Sequence, residues 1–395
     1  MAAAGTGAPE RRTGGAPKRS APAHARPTGR ERRAAAREAA EARRELEPER
    51  TGFPTSVLVV GVAALVALVL GIALATGFLT PPGSGSSSTS GPDASLTTLV
   101  HGQSADVTVL DGVGWVLDDA AGTIRRFDPS SGAFTGKAVH VAARPVSVAA
   151  GFGKLWVADA VGNAVVEVNP ATGKAVGNPI TVADEPVSLV AGDGGIWVAS
   201  LAGNTVSLVS PRYRQVVASV ALPDGAVRLA IGAGAVWATG TTDTLSRIAP
   251  KPVGVSLAWR TIRVGQGPIG VAVGSGSVWV ANAVSGTVTR VDPARLRVTG
   301  TVPLGAGGVV GGNPTPAGAG GVGSASDPVT VAVFGGWVWV GNGQGGTLTA
   351  FDPMTGRQHG TPARLPGIPR RLVVSDDRLF ATTANAGAVV AVTPR

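Results

Sequence analysis

The sequence predicts an all-β seven-bladed β-propeller of four-stranded blades, preceded by one transmembrane α-helix. Three observations predict it. First, a unit recurs seven times after residue 100: apolar residues around a Trp, a short Gly/Asn turn, a second apolar run, then Asp-Pro or a near relative. Second, the spacing is regular. Trp115, Trp156, Trp197, Trp237, Trp279 and Trp339, with Phe380 in the seventh slot, stand 41, 41, 40, 42, 60 and 41 residues apart. A period of about 40–50 residues with strand-like text marks a propeller. Third, residues 57–79 run 23 residues without a charge.

Composition agrees with many short strands. The 58 Gly and 29 Pro fall largely at regular turn positions, as in a strand-and-turn chain rather than a disordered one. With no Cys there is no disulfide frame and no thiolate metal site. The net charge of +9 is uneven: residues 1–52 hold 12 Arg/Lys and 7 Asp/Glu (+5), and the remainder holds 22 and 18 (+4). Nucleic-acid binding asks for a basic patch interleaved with aromatic platforms. The repeats show neither, and Tyr213 is their single Tyr, so no nucleic-acid partner is expected.

Taken in order, residues 1–52 read as a basic cytoplasmic tail. Residues 1–30 lack any apolar period and read as disordered. Residues 31–47, ERRAAAREAAEARRELE, are strong helix formers. Arg37 and Glu41 pair at i,i+4, and Glu41 and Arg44 at i,i+3. Without an apolar stripe this helix is solvated, with its arginines within reach of anionic headgroups.

Residues 53–79 read as the transmembrane helix. At 1.5 Å per residue, the 23 uncharged residues span about 34 Å, enough for a hydrocarbon core of about 30 Å. Pro54 and the Pro81-Pro82 pair suit its two ends. A cleaved signal peptide is the other reading, and Ala73-Leu74-Ala75 resembles a cleavage site. The long basic region before it and the long apolar core argue for retention. Arg43, Arg44 and Arg50 flank one side, and no Lys or Arg occurs between Thr80 and Thr123. The positive-inside rule then leaves the N-terminus in the cytoplasm and the propeller outside a plasma membrane. Ala63, Ala67, Gly71 and Ala75 lie on one face, a spacing that suits a helix–helix homodimer but that abundant Ala also produces by chance. Residues 80–95 read as a flexible linker, with an r.m.s. reach of roughly 20 Å.

Residues 96–395 are the propeller. The unit from Pro145 to Asp184 parses into strands at 146–150, 155–158, 164–168 and 179–182. A Trp in each second strand is expected to fill the space between twisted blades. Asp128-Pro129-Ser130-Ser131-Gly132, Asn169-Pro170-Ala171-Thr172-Gly173 and Asp352-Pro353-Met354-Thr355-Gly356 read as turns whose acid or amide bonds back to the backbone. The chain stops after the third strand of its last unit. Residues 96–100 form a fourth strand with no unit of their own, so they are expected to complete the last blade and close the ring.

The text from Val278 to Pro293, VWVANAVSGTVTRVDP, resembles the repeat of YVTN-type propellers and is similar to that of streptogramin-lyase-like propellers. The resemblance covers about residues 96–395 and implies the seven-bladed fold. Its lyase branch implies a metal-assisted elimination by a Glu-x-His pair on second strands. That slot reads Asp159, Ser200, Gly240, Asn282 and Asn342 here. The propeller's three histidines, His101, His140 and His359, fall on fourth strands. No catalytic residue, cofactor or metal is therefore expected, and the lyase-like enzyme stands as the alternative reading.

What remains is a binding face. Loops joining second to third strands, and fourth to first strands, share one face of a propeller. On it are Asp118, Asp119, Arg144, Asp159, Glu185, Asp224, Asp243, Gln266, Asn282, Asp327, Asn342, Arg370 and Arg371, the candidate ligand- or partner-binding residues. The 60-residue interval carries about 19 extra residues within 305–327, rich in Gly; a loop of this kind is either functional, as a flap over the central opening, or a tolerated insertion. The sequence thus points to a non-catalytic recognition, sensor or scaffold module of the cell envelope that docks a protein, glycan or small ligand. Its layout is similar to the outer propellers of bacterial receptor kinases. Residues 1–52 contain no kinase motif, so signalling would need a separate partner.

Overall fold

The computed structural model describes residues 94–100, 104–250, 257–304, 328–375 and 377–394. The basic tail, the apolar run with its small-residue face, the linker up to residue 93, His101, Asp327 and the 305–327 insertion lie outside them. Among the described residues no helix is long and apolar enough to cross a membrane.

Seven four-stranded antiparallel sheets follow one another along the chain. In each, an inner strand leads to a second, a third and an outer strand. The inner strands are Asp106–Leu110, Pro145–Gly151, Pro186–Gly192, Arg228–Gly232, Pro268–Gly274, Pro328–Phe334 and Ile368–Ser375. In the second blade the strands are Pro145–Gly151, Lys154–Asp159, Ala164–Val168 and Ile180–Thr181. The first two are longer than the repeat text suggests, and the outer one is shorter. Its shortness has a local cause. After Val168 the chain makes a wide turn, with Asn169 Oδ1 accepting from Ala171 N at 2.8 Å and Val168 bridging to Ala175, and this uses up residues that would otherwise extend the strand.

The seventh blade is assembled from both ends of the described chain. The strand Ala94–Val100 pairs with Val389–Pro394 on the outside of Arg378–Ala384 and Ile368–Ser375. The register runs Ala94↔Pro394, Leu96↔Val392 and Thr98↔Val390. This closes the ring as the missing fourth strand requires, with Ala94 and Ser95 belonging to the strand rather than to the linker. Val389–Pro394 is thereby paired on both sides, where without the closing strand it would be an open edge.

Each large ring packs onto the following blade. Trp156 lies with Ile196, Val198 and Val209; Trp197 with Val236, Ala238 and Ile248; Trp237 with Val278, Val280 and Val291. Trp115, Trp279 and Trp339 repeat the arrangement. All six are at most 2% exposed, so they form the inter-blade core and are unavailable to stack on a ligand. Trp156, Trp197, Trp237, Trp279 and Trp339 each donate Nε1–H to the carbonyl five residues before, at 3.0–3.3 Å, which satisfies the buried indole donor. Phe380 takes this place in the last blade and packs on Val107, Val116 and Phe127. There the ring of Phe127 lies over Gly114, where a Cβ would come within 2.5 Å of it.

Two faces result. Inner strands run from the loop face, which carries the second-to-third and fourth-to-first connections, to the turn face, which carries the other two. The closing strand runs the opposite way, so Ala94 and Pro394 both lie at the turn face.

Candidate functional site

The loop-face candidates separate by what their side chains already do. Asp159 ends a second strand and is 7% exposed. Its Oδ1 accepts from Arg144 N at 3.0 Å and Val161 N at 3.3 Å, and its Oδ2 from Ala143 N at 3.3 Å. Asn282 and Asn342, at the equivalent strand ends, are buried and donate to Thr289 and Thr349 hydroxyls at 2.8 and 3.0 Å. Each leaves its Oδ1 without a partner among the described residues. Asp118 Oδ1 accepts from Ala121 N at 2.8 Å, and Asp224 Oδ2 from Thr242 Oγ1 at 2.9 Å. Asp119 pairs with Arg370 at 3.2 Å, and Asp243 with Arg263 at 2.5 Å. Arg144 and Gln266 are exposed and Glu185 half-buried, and these three side chains project from fourth-to-first loops.

Arg371 lies elsewhere. It is within the inner strand Ile368–Ser375, and its guanidinium, 15% exposed, forms an ion pair with the fully buried Asp106. The residue nine before each Trp, or before Phe380, lies on the inner strand of its blade, around the central channel: Asp106, Ser147, Ser188, Arg228, Gly270, Thr330 and Arg371. In five blades the inner-strand ladder shifts register beside it, as between Pro145 and Ser147 or Pro369 and Arg371. A shift of this kind re-aims a side chain.

The ring stitches blade to blade. Asp106 Oδ2 accepts from Val148 N at 2.9 Å, Ser147 Oγ from Leu189 N at 3.3 Å, Ser188 Oγ from Leu229 N at 3.3 Å, and Thr330 Oγ1 from Leu372 N at 2.9 Å. Arg371 Nη1 ties the seventh blade to the first and second by donating to Asp106 Oδ2 and, at 2.7 Å, to Ser147 Oγ. Asp106 also accepts from Val107 N at 2.9 Å and Ser147 Oγ at 3.0 Å. Arg228 donates Nη1 to the Val187 carbonyl at 3.2 Å and has no carboxylate within ion-pair distance among the described residues. Desolvation, then the nearby Arg371, lower its pKa from the ordinary arginine range to about 10; Asp106 opposes this and Arg370 adds to it. It stays protonated near neutrality, so this set of inner-strand residues, with Asp106 paired to Arg371, carries excess positive charge.

Sequence reading placed none of Asp106, Ser147 or Arg228 in a site. The available signal was the column nine before each Trp, where one acid and two arginines interrupt small residues. Among the described residues no group of three or more His, Asp or Glu is placed to hold a metal. His140 and His359 lie on outer strands, the latter stacked on Trp337 at 3.8 Å.

No family model matches the chain, and no curated protein matches it by sequence. Solved structures do. Virginiamycin B lyase from Staphylococcus aureus is 14% identical over 76% of this chain and 98% of its own, with a TM-score of 0.60. U3-55K is 14% identical over 76% and 99%, with a TM-score of 0.63. The WD40 propeller of Doa1 is 13% identical over 76% and 98%, with a TM-score of 0.59. The chain has the seven-bladed propeller fold. At these identities the likeness carries the fold alone, because lyases and WD40 domains share it.

Proposed function

We propose that this chain is a single-pass membrane protein, with its N-terminus cytoplasmic and its propeller outside the plasma membrane. Its propeller serves non-catalytic recognition or scaffolding in the cell envelope. A protein, glycan or small ligand docks on the loop face. The division of labour on that face supports this reading. Asp118, Asp159, Asp224, Asn282 and Asn342 are engaged in internal hydrogen bonds that hold the loops. Arg144, Glu185 and Gln266, together with the exposed Val161 and Val284, point outward from this rigid frame. Fixed loops presenting mixed polar and apolar tips suit partner docking. The uncharged 57–79 run and the arginines before it support the anchor and its orientation.

The test is site-specific photo-crosslinking in intact membranes from Gln266 and, on the turn face, from Met354. Docking on the loop face predicts a discrete crosslinked species from Gln266 that disappears when Arg144→Glu and Glu185→Lys are combined, and none from Met354. Equal products from both positions, or products indifferent to the charge reversal, reject the assignment. External protease on whole cells should digest the propeller and spare a tag at Met1; the reverse pattern rejects the orientation.

A further inference from the structure

The central channel opens on the turn face into a cavity of about 530 Å³, within the range of small-molecule sites. Val148, Leu189, Val190, Ile231 and Val373 give it apolar walls, and Arg371 stands at its inner end. Only Nη1 of Arg371 is engaged, by Asp106 and Ser147; no acceptor meets Nε or Nη2 among the described residues. Arg371 and Arg370 both lie near enough to Arg228 to act on its charge. Asp111, the carboxylate among the lining residues, sits exposed at the rim.

The mouth carries an anomaly. Phe152 lines the cavity, is 52% exposed, and has φ 55. A bulky residue in the left-handed region is an outlier, and such outliers gather at ligand clamps. At the equivalent turn position five other blades place Asp111, Asp193, Ala233, Ser275 and Gly335, all smaller than Phe152 and none aromatic. An aromatic ring held there against both backbone preference and the hydrophobic effect has no packing role in the inter-blade core.

We propose that this cavity binds a small organic monoanion with an apolar body, its carboxylate on the Nε–Nη2 edge of Arg371 and its body between the valine walls and Phe152. A carboxylate on a guanidinium edge forms paired, charge-assisted hydrogen bonds, and the walls exclude water from the rest of the ligand. This site is on the face opposite the docking loops and stands independently of them.

The test is calorimetric titration of the full-length chain with octanoate, 4-phenylbutyrate and indole-3-acetate, each beside its neutral alcohol. At least one acid should bind saturably, one to one, and about tenfold or more tighter than its alcohol. Phe152→Asp, which installs the residue found at Asp193, should weaken that acid roughly fivefold or more without lowering the melting temperature. Val374→Glu at the exposed mouth should weaken it by about tenfold while Val374→Lys does not, a sign dependence that a structural effect would not produce. Failure of all three acids to bind overturns the proposal. So does equal binding of acid and alcohol, or affinity unchanged by both Phe152→Asp and Val374→Glu. Arg144→Glu, on the other face, should leave the titration unaltered, and loss of binding there would place the site elsewhere.

Discussion

Replacing Asp106 by Ala removes, in one step, the acceptor that joins three blades. Its carboxylate takes hydrogen bonds from Val107 N, Ser147 Oγ, Val148 N and Arg371 Nη1, and the residue is fully buried. Without it Arg371 is left beside Arg228 and Arg370 with no nearby countercharge other than the Asp119 that Arg370 already holds. Breaking a buried pair in this way costs about 3–5 kcal/mol. An unfolding entropy of about 2.1 cal/mol/K per residue, over roughly 300 residues, converts that into a fall of about 5–8 °C in melting temperature. The assay is scanning calorimetry of the full chain, read as the shift of the main transition. Arg371→Met removes the stranded charge. The double substitution should therefore cost less than the sum of the two single ones, with a coupling of about 2 kcal/mol or more. Asp118→Ala, which loses one exposed hydrogen bond to Ala121 N, should cost no more than about 1 kcal/mol. The reasoning fails if Asp106→Ala melts within about 1 °C of the parent, or if the cycle is additive within about 0.5 kcal/mol.

Trp197→Ala empties the interface between the third and fourth blades and should cost about 3–5 kcal/mol by calorimetry, the range for large-to-small changes in a packed core. Deleting residues 94–100 strips six registered pairs from the seventh blade; the shortened chain should aggregate or pair through its exposed edge, seen by light scattering beside the parent. Asp292 has a carboxyl lowered to about 2, chiefly by the backbone N–H and side chain of Arg295. Its contribution to stability is thus fully present above the unfolded value near 4 and is lost as pH falls through about 2. Asp292→Asn should flatten the melting temperature between pH 4 and 2 relative to the parent, and an unchanged slope would assign the acid sensitivity elsewhere.

Much of the architecture is readable from residues that are local in sequence. The Trp column marks each second strand, and the turns at Asp128, Asn169 and Asp352 behave as their text implies: Asp352 Oδ1, for one, accepts from Met354 N and Thr355 N at 2.8 and 2.7 Å. The closing strand was visible because the last unit is one strand short. The channel was not visible in the same way. Asp106 and Arg371 are 265 residues apart and meet only because the ring closes, so neither looks unusual within its own unit. Arg371 follows Arg370 and reads as a loop cation, whereas the register shift after Pro369 turns it inward. Phe152 hides similarly, since an apolar residue among apolar neighbours gives no hint that its backbone has positive φ. The buried fate of Asp159, Asn282 and Asn342 follows from the loops that fold over them, as where a Cβ on Gly265 would come within 2.7 Å of Asn282.

The pairing of Ala94 with Pro394 has a mechanical consequence. The closing strand begins at the turn face, so a pull on Ala94 directed away from that face runs along the strand axis. Ladder hydrogen bonds lie across that axis, and the six registered pairs from Ala94↔Pro394 to Val100↔Val389 bear such a pull together rather than one after another. The strand that seals the ring is thereby oriented to resist in shear, and a load transmitted from the N-terminal side would be shared across the seventh blade before any single pair gives way.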